Sequence, residues 1–205
     1  MTKNKVIGVS GVAGSGKDLF FSLLSKFKKC KKLSLAEALK DEVSEWTIKH
    51  YGIDASTCSR EDKELIRPLL VFHANLMRGQ SLGRHWINIL NKKIKNLKLE
   101  PDEIIVITDI RFDHYEKDEI FWLKQELNGL LVHISNFVKV DSGDHSPPII
   151  VKKEGANDSE KINDPKLKVA ADYSIEWEFL QRPQEEVEEI LSEKHVKPFV
   201  KEYLD

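Results

Sequence analysis

Cysteine is scarce in this chain. Cys30 and Cys58 are the only two, and neither sits at a metal-ligand spacing. A cysteine metal site is thereby excluded, and reduced thiols in a cytosol-like compartment are the expectation. A dominant charge is also lacking. Lys and Arg number 32 against 34 Asp and Glu, a formal net charge of −2, which gives no electrostatic case for nucleic-acid binding. A small anionic ligand remains compatible, because it needs only a local basic pocket. No apolar run approaches the length of a membrane span. Met1-Thr2-Lys3-Asn4-Lys5 leads directly into the first apolar run, so no signal peptide is expected. There is no internal repeat and no low-complexity tract. The 205 residues suit one domain, 1–205, with a lid-like insertion, and suffice to bury a substantial core.

What is present concentrates near the N-terminus. Val6-Ile7-Gly8-Val9 reads as a short buried strand, Gly11 to Lys17 as a glycine-rich turn, and Leu19-Phe20-Phe21 as the opening of a helix. Gly11-Val12-Ala13-Gly14-Ser15-Gly16-Lys17 is a P-loop in the strand–loop–helix setting the motif requires. Its glycines let backbone N–H groups curl around a phosphate, and the following helix directs its positive end there. Lys17 is placed to reach β- and γ-phosphates as a mobile point charge. The hydroxyl residue that ordinarily follows the lysine is replaced by Asp18. Two roles stand open for Asp18: a hard oxygen ligand for Mg²⁺, direct or through water, or a carboxylate favouring the helix N-terminus.

Along the chain, the apolar spacing predicts a first helix over about 16–28, with Phe20, Leu23, Leu24 and Phe27 inward. The lysines at 26, 28, 29, 31 and 32 read as its solvated end. Ser34-Leu35-Ala36-Glu37 is a capping-box pattern, opening a second helix that Gly52 closes. Lys40 lies in its early turns, facing the cleft or solvent. A third helix begins near Ser59, where Leu65, Leu69, Phe72 and Leu76 form one row and Ile66, Leu70, His73 and Met77 the next. Two adjacent rows imply burial between neighbours, and Pro68 implies a kink or the true start. A further helix follows Gly83. Glu103 to Asp109 is a continuous apolar run suited to a central parallel strand. Asp109 and Arg111 follow at its carboxyl end, where ligands of open α/β sheets bind. A helix through Ile120, Leu123 and Leu127 and a strand at 130–135 complete a β, helices, β, α, β order. That order is the signature of an α/β fold with a doubly wound parallel sheet. Periodicity fails over 136–165, which reads as a lid, with a disordered insertion as the alternative. This segment contains no arginine, so Lys139, Lys152, Lys153 and Lys161 would have to supply its positive charge. A last short strand at 171–175 and an acidic helix over about 183–194 close the chain.

The P-loop ending Gly16-Lys17-Asp18, the Ala36-x-x-Leu39-Lys40 helix, the run Arg67…Gly79…Arg84-x-Trp86, the strand end Thr108-Asp109-Ile110-Arg111-Phe112, and the late Ser159-Glu160 with Ala171-Asp172-Tyr173-x-Ile175 occur in order over nearly the whole chain. Together they resemble the bacteriophage-type deoxynucleoside monophosphate kinases, within the nucleoside monophosphate kinase-like P-loop proteins. Animal phosphomevalonate kinases show a related layout. The resemblance implies ATP as donor, Mg²⁺ as cofactor, a nucleoside monophosphate as acceptor and a cytoplasmic setting, that of the host if the source is viral. Lys17, Asp109 and Arg111 would be catalytic, and Asp18 or Asp109 would meet the metal. Lys40, Arg67, Arg84, Trp86 and Arg111 would hold the acceptor, with the Trp86 ring stacking on a base or lying in the core. A P-loop ATPase or switch without a small acceptor is a second class of reading. A homodimer is kept open as the assembly.

Overall fold

The computed structural model describes residues 5–140, 148–155 and 157–205. Among these residues six strands form one sheet: β1 (Val6–Ser10), β2 (Cys30–Leu33), β3 (Ile104–Ile110), β4 (Leu130–Val140), β5 (Ile149–Lys152) and β6 (Tyr173–Glu178). Their spatial order is β2-β3-β1-β4, with β6 parallel along one edge of β4 and β5 antiparallel along its far end. The helices among the described residues are α1 (Lys17–Leu24), α2 (Leu35–Tyr51), α3 (Arg60–Gln80), α4 (Arg84–Asn96), the short α5 (Glu119–Phe121), α6 (Asp158–Ala170), α7 (Gln184–Leu191) and α8 (Lys197–Tyr203). A π-helical turn, Trp122–Glu126, extends α5, and a second, Ser192–Val196, joins α7 to α8.

The unbroken apolar runs of β1 and β3 are explained by burial on both faces. Successive side chains leave opposite sides of a strand. Ile7, Val9, Ile104 and Val106 therefore enter one core with Phe20, Leu23 and Leu24 of α1 and Phe199 and Val200 of α8. Val6, Ile105, Ile107 and Leu131 enter a second core with Trp86, Ile87 and Leu90 of α4, and with Trp122 and Leu123. A third, smaller cluster of Val43, Ala55, Ile66 and Leu70 joins α2 to α3. The doubly wound parallel sheet of the sequence reading is thus the architecture found, and the P-loop lies at the carboxyl end of β1.

Several boundaries differ from the sequence reading. Helix α1 stops at Leu24, and the lysine-rich stretch after it contains β2, a strand at the end of the sheet order. Lys31 and Lys32 are exposed there while Leu33 is buried, and lysines suit an unpaired strand edge. Helix α3 continues past Pro68, and only its second apolar row reaches a core. Leu65 and Phe72 of the first row are 74% and 67% exposed. The failed periodicity of 136–165 hides regular structure. Strand β4 continues to Val140, β5 pairs with its tail, and α6 spans Pro165. Residues 141–147 and 156 of that segment lie outside the described residues. Among the described residues no helix is long and apolar enough to cross a membrane.

Candidate active site

The P-loop geometry explains its glycines. Gly11 has φ 135°, and a Cβ there would sit 2.1 Å from the carbonyl oxygen of Ile134 on β4. Gly16 has φ 101°, and a Cβ there would sit 2.3 Å from the ring of Trp177 on β6. Gly16 caps α1 without a side-chain hydrogen bond, which leaves first-turn N–H groups available to an anion. Three groups brace the loop from outside. The Trp177 indole N–H donates to the Ser15 carbonyl at 2.8 Å, and Asn136 Nδ2 and Lys153 Nζ donate to the Gly14 carbonyl at 3.1 and 3.3 Å. Of the four lysines expected to charge the lid, only Lys153 reaches the loop. Lys139 pairs with Glu178, Lys152 pairs with Glu176, and Lys161 is exposed.

Lys17 Nζ donates to the carbonyls of Gly11 at 2.7 Å and Val12 at 2.8 Å. Burial pulls its ammonium down to about 8, the Arg111 charge acts in the same direction, and Glu160, Asp18 and Asp109 oppose. Glu160 of α6 accepts the Ala13 N–H at 3.3 Å. Glu160, Asp164 and Leu167 share one face of α6 at helical spacing and enclose a small cavity with Gly11, Val12 and Arg111. The sequence reading used Glu160 only as a family signature, and a lone glutamate in a polar stretch carries no mark of its partner.

The two expected metal partners take different roles. Asp18 points to the strand side, where it pairs with Lys32 at 2.7 Å and is 84% exposed. Asp109 is buried and binds the start of α2: its Oδ2 accepts from Ser34 Oγ and the Ala36 N–H, and its Oδ1 from the Leu35 N–H, all at 2.8 Å. Ser34 in turn caps α2 by accepting the Glu37 N–H, as the capping box predicts. Among the described residues no group of three or more His, Cys, Asp or Glu side chains is placed to hold a metal ion. Asp109 Oδ1 accepts a single hydrogen bond among the described residues and keeps one lone pair unused.

The expected acceptor residues divide. Arg111 follows β3, is exposed, and its guanidinium has no hydrogen bond or ion pair to a described residue. Burial lowers the Lys63 ammonium, and the positive charges of Lys40 on α2, Arg67 on α3 and Arg111 act in the same direction. Lys63 is therefore a further member of this cationic group. It escaped the sequence reading because Glu61-Asp62-Lys63-Glu64 looks like a solvated helix face. Arg67 is also held by Glu64. Arg84 is not brought to the group: it pairs with Glu126 and donates to the Lys117 carbonyl. Trp86 packs in the second core, with the rings of His73 and His85 against it, and does not present a free face to a base.

Behind Arg111 lies a buried ionic cluster. Arg78, near the end of α3, binds both oxygens of Asp118 at 2.8 and 3.0 Å and Glu119 Oε1 at 3.0 Å. Its guanidinium lies 3.8 Å over the Phe112 ring. Burial pushes the Glu119 carboxyl up to about 8, opposed by Arg78 and by the backbone N–H groups of Arg111 and Phe112.

No sequence family matches the chain, and no curated protein does. Among solved structures, the shikimate kinase from Acinetobacter baumannii in complex with shikimate is similar at 14% identity and a TM-score of 0.46, with 98% of this chain and 96% of that one covered. TT1252 from Thermus thermophilus is similar at 14% identity and a TM-score of 0.45, with both chains fully covered.

Proposed function

We propose that the chain is an ATP-dependent phosphotransferase whose acceptor is a nucleoside monophosphate, in particular a deoxynucleoside monophosphate. One observation carries this reading. Of Arg67, Arg84 and Arg111, only Arg111 lacks a carboxylate partner among the described residues, and it lines a small cavity with Gly11 and Val12 of the P-loop, near enough to Lys17 for its charge to act on that ammonium. A guanidinium left without a carboxylate beside the P-loop suits a phosphate monoester, which it matches bidentately. Lys40 and Lys63 add positive charge on the same side.

In this reading the loop amides and Lys17 hold the donor phosphates. Arg111 orients the acceptor phosphate for in-line attack. That phosphate has a second pKa of about 6, so it is already an anionic nucleophile at neutral pH and needs no general base. Magnesium would supply charge to offset that developing on the transferred phosphoryl group, and Asp109 would hold it through water. Glu160 leaves the Ala13 N–H when phosphates take that place.

The test is ADP release, measured across the four deoxynucleoside monophosphates, the ribonucleotides and phosphomevalonate. Release that depends on a nucleoside monophosphate supports the reading. Dependence on phosphomevalonate alone moves the acceptor class. Equal release with no acceptor makes the chain an ATPase.

A further inference from the structure

Arg111 owes its place to groups that touch no substrate. Its backbone N–H donates to Glu119 Oε2 at 2.6 Å, and the Phe112 N–H donates to the same oxygen at 3.0 Å. The Asp113 N–H donates instead to Asn163 Oδ1 at 3.2 Å, and those of His114 and Tyr115 donate to Asp118 Oδ2 at 3.0 and 3.3 Å. Four backbone donors after β3 are thus gathered by two adjacent carboxylates. Asp118 is fully buried and Glu119 nearly so. Both carboxylates are held by one side chain, Arg78, which arrives from α3 and is itself buried. The Arg78 guanidinium also lies over the Phe112 ring, so it contacts the turn both through the carboxylates and through the ring.

A buried charge left without its partner is costly, so this cluster tolerates little rearrangement. Helix α3 also carries Lys63 and Arg67, two members of the cationic group. The helix that lends charge to the acceptor side therefore fixes, at its other end, the turn that carries Arg111.

We infer that Arg78, Asp118 and Glu119 form a positioning unit that sets the direction of Arg111 toward the acceptor phosphate and couples it to α3. The inference rests on the proposed acceptor role of Arg111.

The experiment compares Glu119→Gln and Arg78→Lys, each made in the native chain and in the Arg111→Ala chain. Glu119→Gln keeps the shape but places an amide N–H2 against either the guanidinium or the two backbone donors. Arg78→Lys keeps the charge and loses the fork. Three quantities are read: the KM of the best deoxynucleoside monophosphate, the Kd of ATP, and hydrogen exchange at the Arg111 and Phe112 amides. The expected result is an acceptor KM raised by about tenfold or more, an ATP Kd held within about twofold, and faster exchange at both amides. In the Arg111→Ala chain, neither substitution should raise the acceptor KM further. Equal effects in both backgrounds overturn the inference, since a merely structural role persists without Arg111. If Arg111→Ala alone leaves the acceptor KM unchanged, the acceptor reading falls instead. The amides still decide the unit in that case, and unchanged protection in Glu119→Gln overturns it. If Glu119→Gln does not fold, Arg78→Lys and Phe112→Leu carry the same comparison, and a normal KM in both overturns the inference.

Discussion

Lys17 is folded back on its own loop, its ammonium hydrogen-bonded to the Gly11 carbonyl at 2.7 Å. The contact holds the lysine in the place from which it would meet phosphate, while burial pulls its pKa down from 10.5 to about 8. Bound polyphosphate restores the higher value, so the complex holds more protons than the free protein between about pH 8 and 10.5. ATP binding in that window should take up a proton, and affinity should fall as pH rises through it. The sign for folding is opposite. The unfolded lysine keeps its proton longer than the folded one, so the free protein gains stability from pH 8 toward 10.5 through this group. Calorimetry in buffers of different ionisation enthalpy checks the uptake, which Lys17→Arg should remove.

Lys17→Ala should leave the fold intact and lower phosphoryl transfer by about 10²–10³-fold or more, the usual cost of a lost preorganised charge. The two carbonyl contacts it forfeits are offset by the relief of burying an ammonium. Near-normal turnover would remove the P-loop from the reaction.

Glu160 holds the Ala13 N–H with a negative charge where phosphates are expected. Glu160→Gln should tighten ATP binding roughly fivefold, equivalent to about 1 kcal/mol of relieved repulsion. Titration of intrinsic fluorescence, with Trp177 packed on Gly16 as reporter, reads the change. Weaker binding would make Glu160 a ligand of the loaded state.

Asp18 and Asp109 should respond differently to alanine. Asp18→Ala removes an exposed pair with Lys32, and such pairs contribute little, so melting temperature and the magnesium titration of activity should both hold. Asp109→Ala removes three hydrogen bonds to the start of α2 and should cost of order 3 kcal/mol in urea unfolding. A magnesium titration displaced by Asp18→Ala would return Asp18 to the metal.

Arg111→Lys keeps a charge and loses the fork. It should lower kcat/KM for the monophosphate while the KM for ATP stays near its native value. Each charge-assisted hydrogen bond to the phosphate is worth about 1.5–3 kcal/mol. A collapse of ATP affinity with an unchanged acceptor KM would assign Arg111 to the donor side.

The strands that carry the P-loop and Asp109 were legible because full burial writes itself as a continuous apolar run, in Val6–Ser10 and Ile104–Ile110 alike. The caps Ser34 and Ser59 were legible because local hydrogen bonds dictate them. Strand β2 was not, since two of its four residues are exposed lysines and its identity comes from pairing with β3. Nor was α6, where Pro165 and scattered polar residues mask a helix fixed by its packing over the P-loop. The roles of Arg78 and Lys63 were not legible either. The Glu119 partner of Arg78 lies 41 positions away, and the like charge of Arg111 that acts on Lys63 lies 48 away; no local pattern records such distances.

The alternation of β3 between two cores has a further consequence. Ile105 and Val106 are adjacent in sequence, yet Val106 supports the layer of α1 and α8 that backs the P-loop, while Ile105 supports the layer of α2 and α4 beside the cationic group. A single step along one strand thus separates the mechanical foundation of the donor side from that of the acceptor side. Loosening either layer by removing methyl groups offers a way to soften one half of the cleft while the other keeps its shape.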